Sequence, residues 1–303
     1  MTLDTVFAVP PLPRNADARR TINLDAAEQV ARHIEAGGIT HLLYGGNAFL
    51  YHATMEDFDT LVGWLASMTP PRVPIPSVGP SFGRAMDQAR VLARHRFPTA
   101  MMLPCGDPRD PTGLEAGYRE ISQAAGVPLI IYVKSEDAFG RDRARGIEAI
   151  GRLLDEGVAI AIKYAVVLKD PRADSYLEAL LWRVEKARIV SGIGERPAIT
   201  HLRDFKLAGM TTGSGCIAPR TSRAFYDACR RGDWTSAEQL RAQFMPLEDL
   251  RDEFGPARVL HHATECAGIA TTGPIPPYVS PLAEPDLATL APVARALREG
   301  DWT

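Results

Sequence analysis

Short, continuously apolar runs alternate with longer amphipathic ones along most of this chain, at a spacing of roughly thirty residues. The short runs are Val6–Val9, Ile39–Tyr44, Val73–Val78, Thr99–Leu103, Pro128–Val133, Val158–Lys163, Arg188–Gly192 and Gly209–Ser214. Most are β-branched or wholly apolar, as strands covered on both faces are. Between them the pattern predicts helices over Leu24–Ala36, Thr54–Met68, Phe82–His95, Thr112–Ala125, Arg143–Asp155, Ala173–Glu185 and Pro197–Leu207. Asn23 before Leu24, and Asp110-Pro111-Thr112 with Glu115, are helix-start signals. Repeated βα units build a parallel sheet. Eight of them in about 220 residues specify an α/β fold, the (β/α)8 TIM barrel. Ala218–Arg231 predicts the eighth helix. The strand signal then stops, and Trp234–Phe254, Ala257–Gly268 and Ala288–Arg298 predict a C-terminal helical extension. The expected division is 1–224 for the barrel carrying the active site and 225–303 for the helical domain. An open doubly wound sheet would want GxGxxG after its first strand, and PPLPRNAD stands there instead.

Composition removes several classes of function. The 303 residues are 46% hydrophobic and 23% charged, which excludes a disordered chain. A net charge of -3 argues against a nucleic-acid partner. No apolar run approaches the ~20 residues of a membrane span. Nothing at the start reads as a signal peptide, so a cytoplasmic protein away from the membrane is expected. The cysteines at 105, 216, 229 and 266 have no metal-ligand spacing. Adjacent His261 and His262 would point about 100° apart on a helix. Neither a metal site nor a cofactor is expected.

One residue breaks its segment. Gly157-Val-Ala-Ile-Ala-Ile-Lys163-Tyr-Ala-Val-Val-Leu168 sets a lysine in a greasy strand, in a chain with only five lysines, at 134, 163, 169, 186 and 206. A buried amine without a partner costs several kcal/mol, or its pKa falls by up to ~3–5 units. A lysine neutral near pH 7 is a nucleophile suited to imine formation with a ketone. In a barrel, the C-terminal strand ends face the active-site mouth, where Lys163 falls. The competing account is a strand-end lysine whose amine snorkels to water. Tyr132 ends the preceding strand, Leu129-Ile-Ile-Tyr132. If the strands are in register, its phenol lies beside Lys163 and can shuttle a proton. Alone it would read as a rim tyrosine.

A series of segments carries a resemblance over the whole chain. They run from Val6-Phe-Ala-Val-Pro-Pro through Leu129-Ile-Ile-Tyr-Val, Ala161-Ile-Lys-Tyr and Met210-Thr-Thr-Gly-Ser-Gly-Cys-Ile-Ala-Pro. They continue through Gly232-Asp-Trp, Met245-Pro-Leu and Gly255-Pro-Ala-Arg to Pro274-Ile-Pro-Pro-Tyr-Val-Ser-Pro-Leu. In these the chain resembles the dihydrodipicolinate synthase / N-acetylneuraminate lyase family of pyruvate-type Schiff-base aldolases. The resemblance implies a (β/α)8 barrel with a C-terminal helical domain, assembled as a homo-oligomer, a tetramer or dimer. It implies that Lys163 forms an imine with a small-molecule 2-oxo acid and that Tyr132 is the neighbouring proton-transfer phenol.

The departures carry information too. Where the family has Gly-Thr-Thr-Gly-Glu, whose hydroxyls and amides hold the substrate carboxylate, this chain has Gly45-Gly46-Asn47-Ala48-Phe49. Gly106 stands where the synthase has a tyrosine that reaches the partner subunit's active site, and Asp137 where it keeps an arginine. The resemblance is therefore to a divergent member with a different substrate. The amides of Gly46 and Asn47 can still hold a carboxylate. Asn47 can replace a lost hydroxyl, or serve only as a turn residue. Lys134 can bind an anionic group or be a solvated loop lysine. Gly192-Ile-Gly194 and Gly213-Ser214-Gly215 can contact substrate or be plain tight turns. Tyr44, Tyr51 and His52 lie near the second loop without an assigned role. Three readings follow: a lyase of a 2-oxo acid such as a 2-keto-3-deoxy sugar acid, a dehydratase using the same imine, and a barrel retired from catalysis that still binds a ligand.

Overall fold

Strand and helix alternate from the first apolar run onward, and the computed structural model, which describes residues 2–301, closes them into a barrel. The strands are β1 (Val6–Ala8), β2 (His41–Leu43), β3 (Val73–Ile75), β4 (Ser77–Val78), β5 (Ala100–Met102), β6 (Leu129–Val133), β7 (Ala159–Tyr164), β8 (Ile189–Ser191) and β9 (Gly209–Thr212). β3 and β4 are two pieces of the single run Val73–Val78, parted at Pro76, which has no N–H to give a ladder. β3 pairs with β2 and β4 with β5, so together they fill the third of eight positions around the wall. The order β3-β2-β1-β9-β8-β7-β6-β5-β4, parallel at each pairing, brings the sheet back to Pro76.

Eight helices ring the wall: α1 (Leu24–Ala36), α2 (Met55–Ala66), α3 (Phe82–Leu92), α4 (Pro111–Ala125), α5 (Arg143–Asp155), α6 (Ser175–Arg183), α7 (Ala198–Arg203) and α8 (Pro219–Arg231). Local chemistry sets their starts. The Asn23 side chain accepts from the Ala26 amide at 3.0 Å. Thr54 and Asp57 form a reciprocal capping box. Asp110 accepts from Thr112 and Gly113, with Pro111 at the first helical position. Such caps contribute about 1 kcal/mol each.

The helical extension is α9 (Trp234–Phe254), α10 (Pro256–Cys266) and α11 (Glu284–Gly300). The division expected at 224/225 falls within α8. α9 packs on α7 and α8 and against the turn Ser214–Cys216, and α10 against the turn Gly46–Ala48. The extension therefore reaches over the C-terminal strand ends. Among the described residues no helix is long and apolar enough to cross a membrane.

Strand alternation decides what points into the barrel. The Tyr164 hydroxyl donates to the Asp174 carboxylate at 2.7 and 2.8 Å, beneath α6 on the outer side of the wall. Its register neighbour Ser191 shares a hydrogen bond with His201 of α7 at 2.8 Å. Side chains one residue away face the other way. Lys163 therefore points inward.

Candidate active site

β6 and β7 end side by side, and their register sets Tyr132 directly opposite Lys163. The Lys163 amine, Nζ, lies 4.1 Å from the centroid of the Tyr132 ring, over its face. It has no hydrogen-bond or ion-pair partner among the described residues. Lys163 is only 6% exposed. Burial, with the positive charges of Lys134 and Arg251, pushes its pKa down from 10.5 to about 7. A large fraction of the amine is then uncharged at neutral pH, as a nucleophile requires. Burial moves the Tyr132 phenol the other way, up to about 12, so it carries its proton at neutral pH.

The next strand end closes on this pair. A Cβ at Gly192 would lie 2.9 Å from Lys163 Cγ and 2.6 Å from the Tyr164 carbonyl oxygen. Only a glycine lets β8 pass so near the lysine.

Lys163 and Tyr132 open into a cavity of about 210 Å³ that Gly46, Asn47, Lys134 and Gly194 also line. Asn47 is buried, and its side-chain amide donates to the Val9 carbonyl at 2.8 Å, so that donor is committed to the wall. Lys134 is exposed at the rim and enters no ion pair among the described residues. Ser214 lies behind the cavity rather than in its lining, fully buried. Tyr44 is a core residue, edge-on to Trp64. Tyr51 packs beside Gly46, and its phenol is pushed up by burial and then by Tyr132. His52 stacks on Tyr278. A larger cavity of about 450 Å³ shares Tyr132 but runs toward Phe82, Met102, Tyr118 and Phe139, away from the amine.

Three functional candidates escaped the sequence reading: Glu195, Glu248 and Arg251, all buried. Arg251 donates through Nη1 to Glu248 at 2.5 Å and to Ser214 Oγ at 3.2 Å, and the Ser214 hydroxyl donates to the same Glu248 oxygen. Glu195 accepts from Thr212 at 2.5 Å and Ser222 at 3.1 Å through one oxygen, while its other oxygen has no hydrogen-bond partner among the described residues. Burial, and then the charge of Glu248, push the Glu195 carboxyl well up. Glu195 therefore keeps its proton to higher pH than an ordinary carboxyl, while Arg251 pairs with Glu248. Glu195 directly follows Gly192-Ile-Gly194, and Glu248 and Arg251 are three apart on α9. Those spacings were the only available signals. Among the described residues no group of three or more His, Cys, Asp or Glu is placed to hold a metal ion.

A (β/α)8 barrel with a buried lysine at its mouth and a helical extension leaning over it defines the class of structure. Solved structures match the chain almost end to end. Dihydrodipicolinate synthase from Oceanobacillus iheyensis is 20% identical with a TM-score of 0.83, covering 98% of this chain and 97% of that one. Proteus mirabilis N-acetylneuraminate lyase is 16% identical with a TM-score of 0.79, covering 98% and 99%. PhdJ, solved bound to a substrate intermediate, is 20% identical with a TM-score of 0.78, covering 100% and 98%. At such identities the likeness is one of fold. No protein-family profile matches the sequence, and no curated protein does.

Proposed function

We propose that this chain is a class I, Schiff-base carbon–carbon lyase acting on a 2-oxo acid, pyruvate or a 2-keto-3-deoxy sugar acid. We place it as a divergent member of the dihydrodipicolinate synthase / N-acetylneuraminate lyase family. The observation that carries the reading is Lys163: an inward amine, unpaired, desolvated and opening into a cavity beside a phenol. No structural need is met by a lone amine there, since burying one without a partner is costly.

The chemistry follows from those two side chains. The neutral Lys163 amine attacks the C2 ketone, and the carbinolamine expels its oxygen as water, with the Tyr132 hydroxyl supplying the proton. The product is a protonated imine. When the C3–C4 bond breaks, its electron pair flows into the imine to give an enamine. The C4 hydroxyl loses its proton to the Tyr132 phenolate and leaves as an aldehyde. Protonation at C3 and hydrolysis then release pyruvate and the free lysine. The Gly46 and Asn47 amides, Gly194 and Lys134 stand around the cavity as substrate contacts.

Borohydride reduction in the presence of pyruvate, followed by peptide mass spectrometry, tests the reading. The expected result is a pyruvyl adduct on Lys163, lost in Lys163→Ala. Absence of the adduct from the unaltered chain would leave only a ligand-binding barrel. With 2-keto-3-deoxy acids as substrates, release of an aldehyde with pyruvate identifies the lyase, and loss of water without carbon–carbon cleavage identifies a dehydratase.

A further inference from the structure

The cavity is lined by three cationic side chains, Lys134, Lys163 and Arg251, and by two carboxylates, Glu248 and Asp252. Asp252 is paired with Arg196 at 3.2 Å, and a 2-oxo acid brings one further carboxylate to the cavity. Lys163 is occupied with the ketone, and Lys134 sits exposed at the rim. The turn at Gly45-Gly46-Asn47 offers no hydroxyl, and one N–H of the Asn47 side-chain amide is taken by the Val9 carbonyl.

Arg251 is different. It is 7% exposed and reaches the cavity from α9. Nη1 holds Glu248 and Ser214, and Nε donates to the Pro256 carbonyl at 3.4 Å. Nη2 makes no hydrogen bond among the described residues and is not fully buried, and Arg251 is among the residues lining the cavity. The wall makes room for that nitrogen: a Cβ on Gly213 would lie 2.3 Å from Nη2 and 2.6 Å from Cζ. Gly213 has φ -97, a value open to any residue, so space and not backbone conformation calls for glycine there.

Resting on the imine reading above, we propose that Arg251 receives the carboxylate of the 2-oxo acid, taking on through Nη2 the task that loop hydroxyls would otherwise perform. The guanidinium is preorganised for it. Glu248 and Ser214 hold Nη1, the Pro256 carbonyl holds Nε, Gly213 lets the plane lie against the strand end, and Nη2 is left to give the carboxylate a charge-assisted hydrogen bond. Charge is accommodated as well. Glu248 and Arg251 form an ion pair, and the incoming carboxylate is offset by the iminium that forms on Lys163.

The test compares pyruvate with pyruvamide, the same ketone with a neutral amide, in borohydride trapping at graded concentrations. The unaltered chain should trap pyruvate at lower concentration than pyruvamide. Arg251→Met should raise the pyruvate concentration for half-maximal trapping by roughly 10–100-fold relative to that for pyruvamide, the worth of a charge-assisted hydrogen bond. The ratio is the readout because the loss of a charge that helps hold the Lys163 pKa down acts on both ketones alike. Gly213→Ala, which keeps the charge but displaces the guanidinium, should shift the same ratio in the same direction. Should either variant fail to fold, the crystal structure of the reduced pyruvyl adduct of the unaltered chain decides: a carboxylate oxygen on Nη2 supports the proposal, and one held solely by the Gly46–Asn47 turn overturns it. An unchanged ratio in folded Arg251→Met overturns the Arg251 assignment alone. No adduct from either ketone in the unaltered chain overturns the imine reading and this one with it.

Discussion

Two clusters of glutamate and arginine in this molecule use the same side chains to opposite effect. On the outer helices, Glu115 of α4 takes Arg119 from its own helix and Arg152 from α5, the latter at 2.7 and 3.0 Å. The hydrogen bond from Arg152 is the main cause that holds the Glu115 carboxyl down at about 2. Behind the mouth, Glu195 has hydroxyl donors but no cation of its own, because Arg251 is bound to Glu248, and its carboxyl is pushed up. The outer cluster has two arginines around the buried Glu115, each with an edge in water, and Arg119 is shared with the exposed Glu156 at 2.7 and 2.8 Å. The inner one has two carboxyls for one guanidinium and little water at all. Outside, charges tie helices together. Inside, they are left short of partners, and Lys163 shares that condition.

Substitutions at the mouth should therefore change chemistry more than they weaken the fold, and the largest effect belongs to Tyr132. Tyr132→Phe keeps the ring against the lysine and removes the proton, so turnover should fall by about 10²–10⁴-fold while trapping of pyruvate persists at a reduced rate. A loss of less than about tenfold in kcat would remove the phenol from the proposed proton path. The next effect is on stability. Below pH 7 both the folded and unfolded chains hold the Lys163 proton, and the fold bears the cost of a buried charge. Between about 7 and about 10.4 only the unfolded chain keeps the proton, so wild-type stability rises with pH. Lys163→Met should accordingly gain on the order of 2–4 kcal/mol below pH 7, shrinking toward zero near pH 10. Urea denaturation at a series of pH values measures it. A loss of stability at low pH would mean that the amine has an acidic partner.

The barrel was legible because its determinants are local and periodic. α1 and α9 begin and end at Leu24–Ala36 and Trp234–Phe254, where the pattern predicts them. α11 begins at Glu284, earlier than the expected Ala288, because Pro285 in its first turn fits a helix start. Lys163 was legible for a related reason: a lone charge in an apolar run violates a period of two. Arg251 had no such signature. Arg241 and Glu238, three apart on α9, are an ion pair with side chains 27% and 51% exposed. Arg251 and Glu248, equally spaced on the same helix, are 9% and 5% exposed. The pairs read alike in sequence. Only the placement of α9 against the Ser214–Cys216 turn buries one of them, and that placement is a tertiary fact. Ser214 is the converse, a loop hydroxyl that read as a ligand contact and is fully occupied by Glu248 and Arg251.

Two smaller effects separate the clusters by the sign of their pH dependence. At Glu195 the folded state holds a proton that the unfolded chain gives up near the ordinary carboxylate value of about 4.3. Stability is therefore lost as pH rises from there toward neutrality. Glu195→Gln, which keeps the neutral shape and the acceptor oxygen, should remove that decline and stabilise the chain by about 1–3 kcal/mol at pH 8, with little change at pH 4. Thermal unfolding at the two pH values reads it. Glu115 should behave in reverse. Its carboxylate is favoured in the fold, so its contribution is present above pH ~4.3 and is lost as pH falls toward about 2. Its partners Arg119 and Arg152 are 40% and 48% exposed, so water screens much of the attraction. Glu115→Gln should then cost about 1 kcal/mol at pH 7 and nothing measurable near pH 2, and 0.5 M salt should shrink the loss. A loss that ignored both acid and salt would mean that Glu115 acts through packing between α4 and α5, and the contrast between the two clusters would rest on the inner one alone.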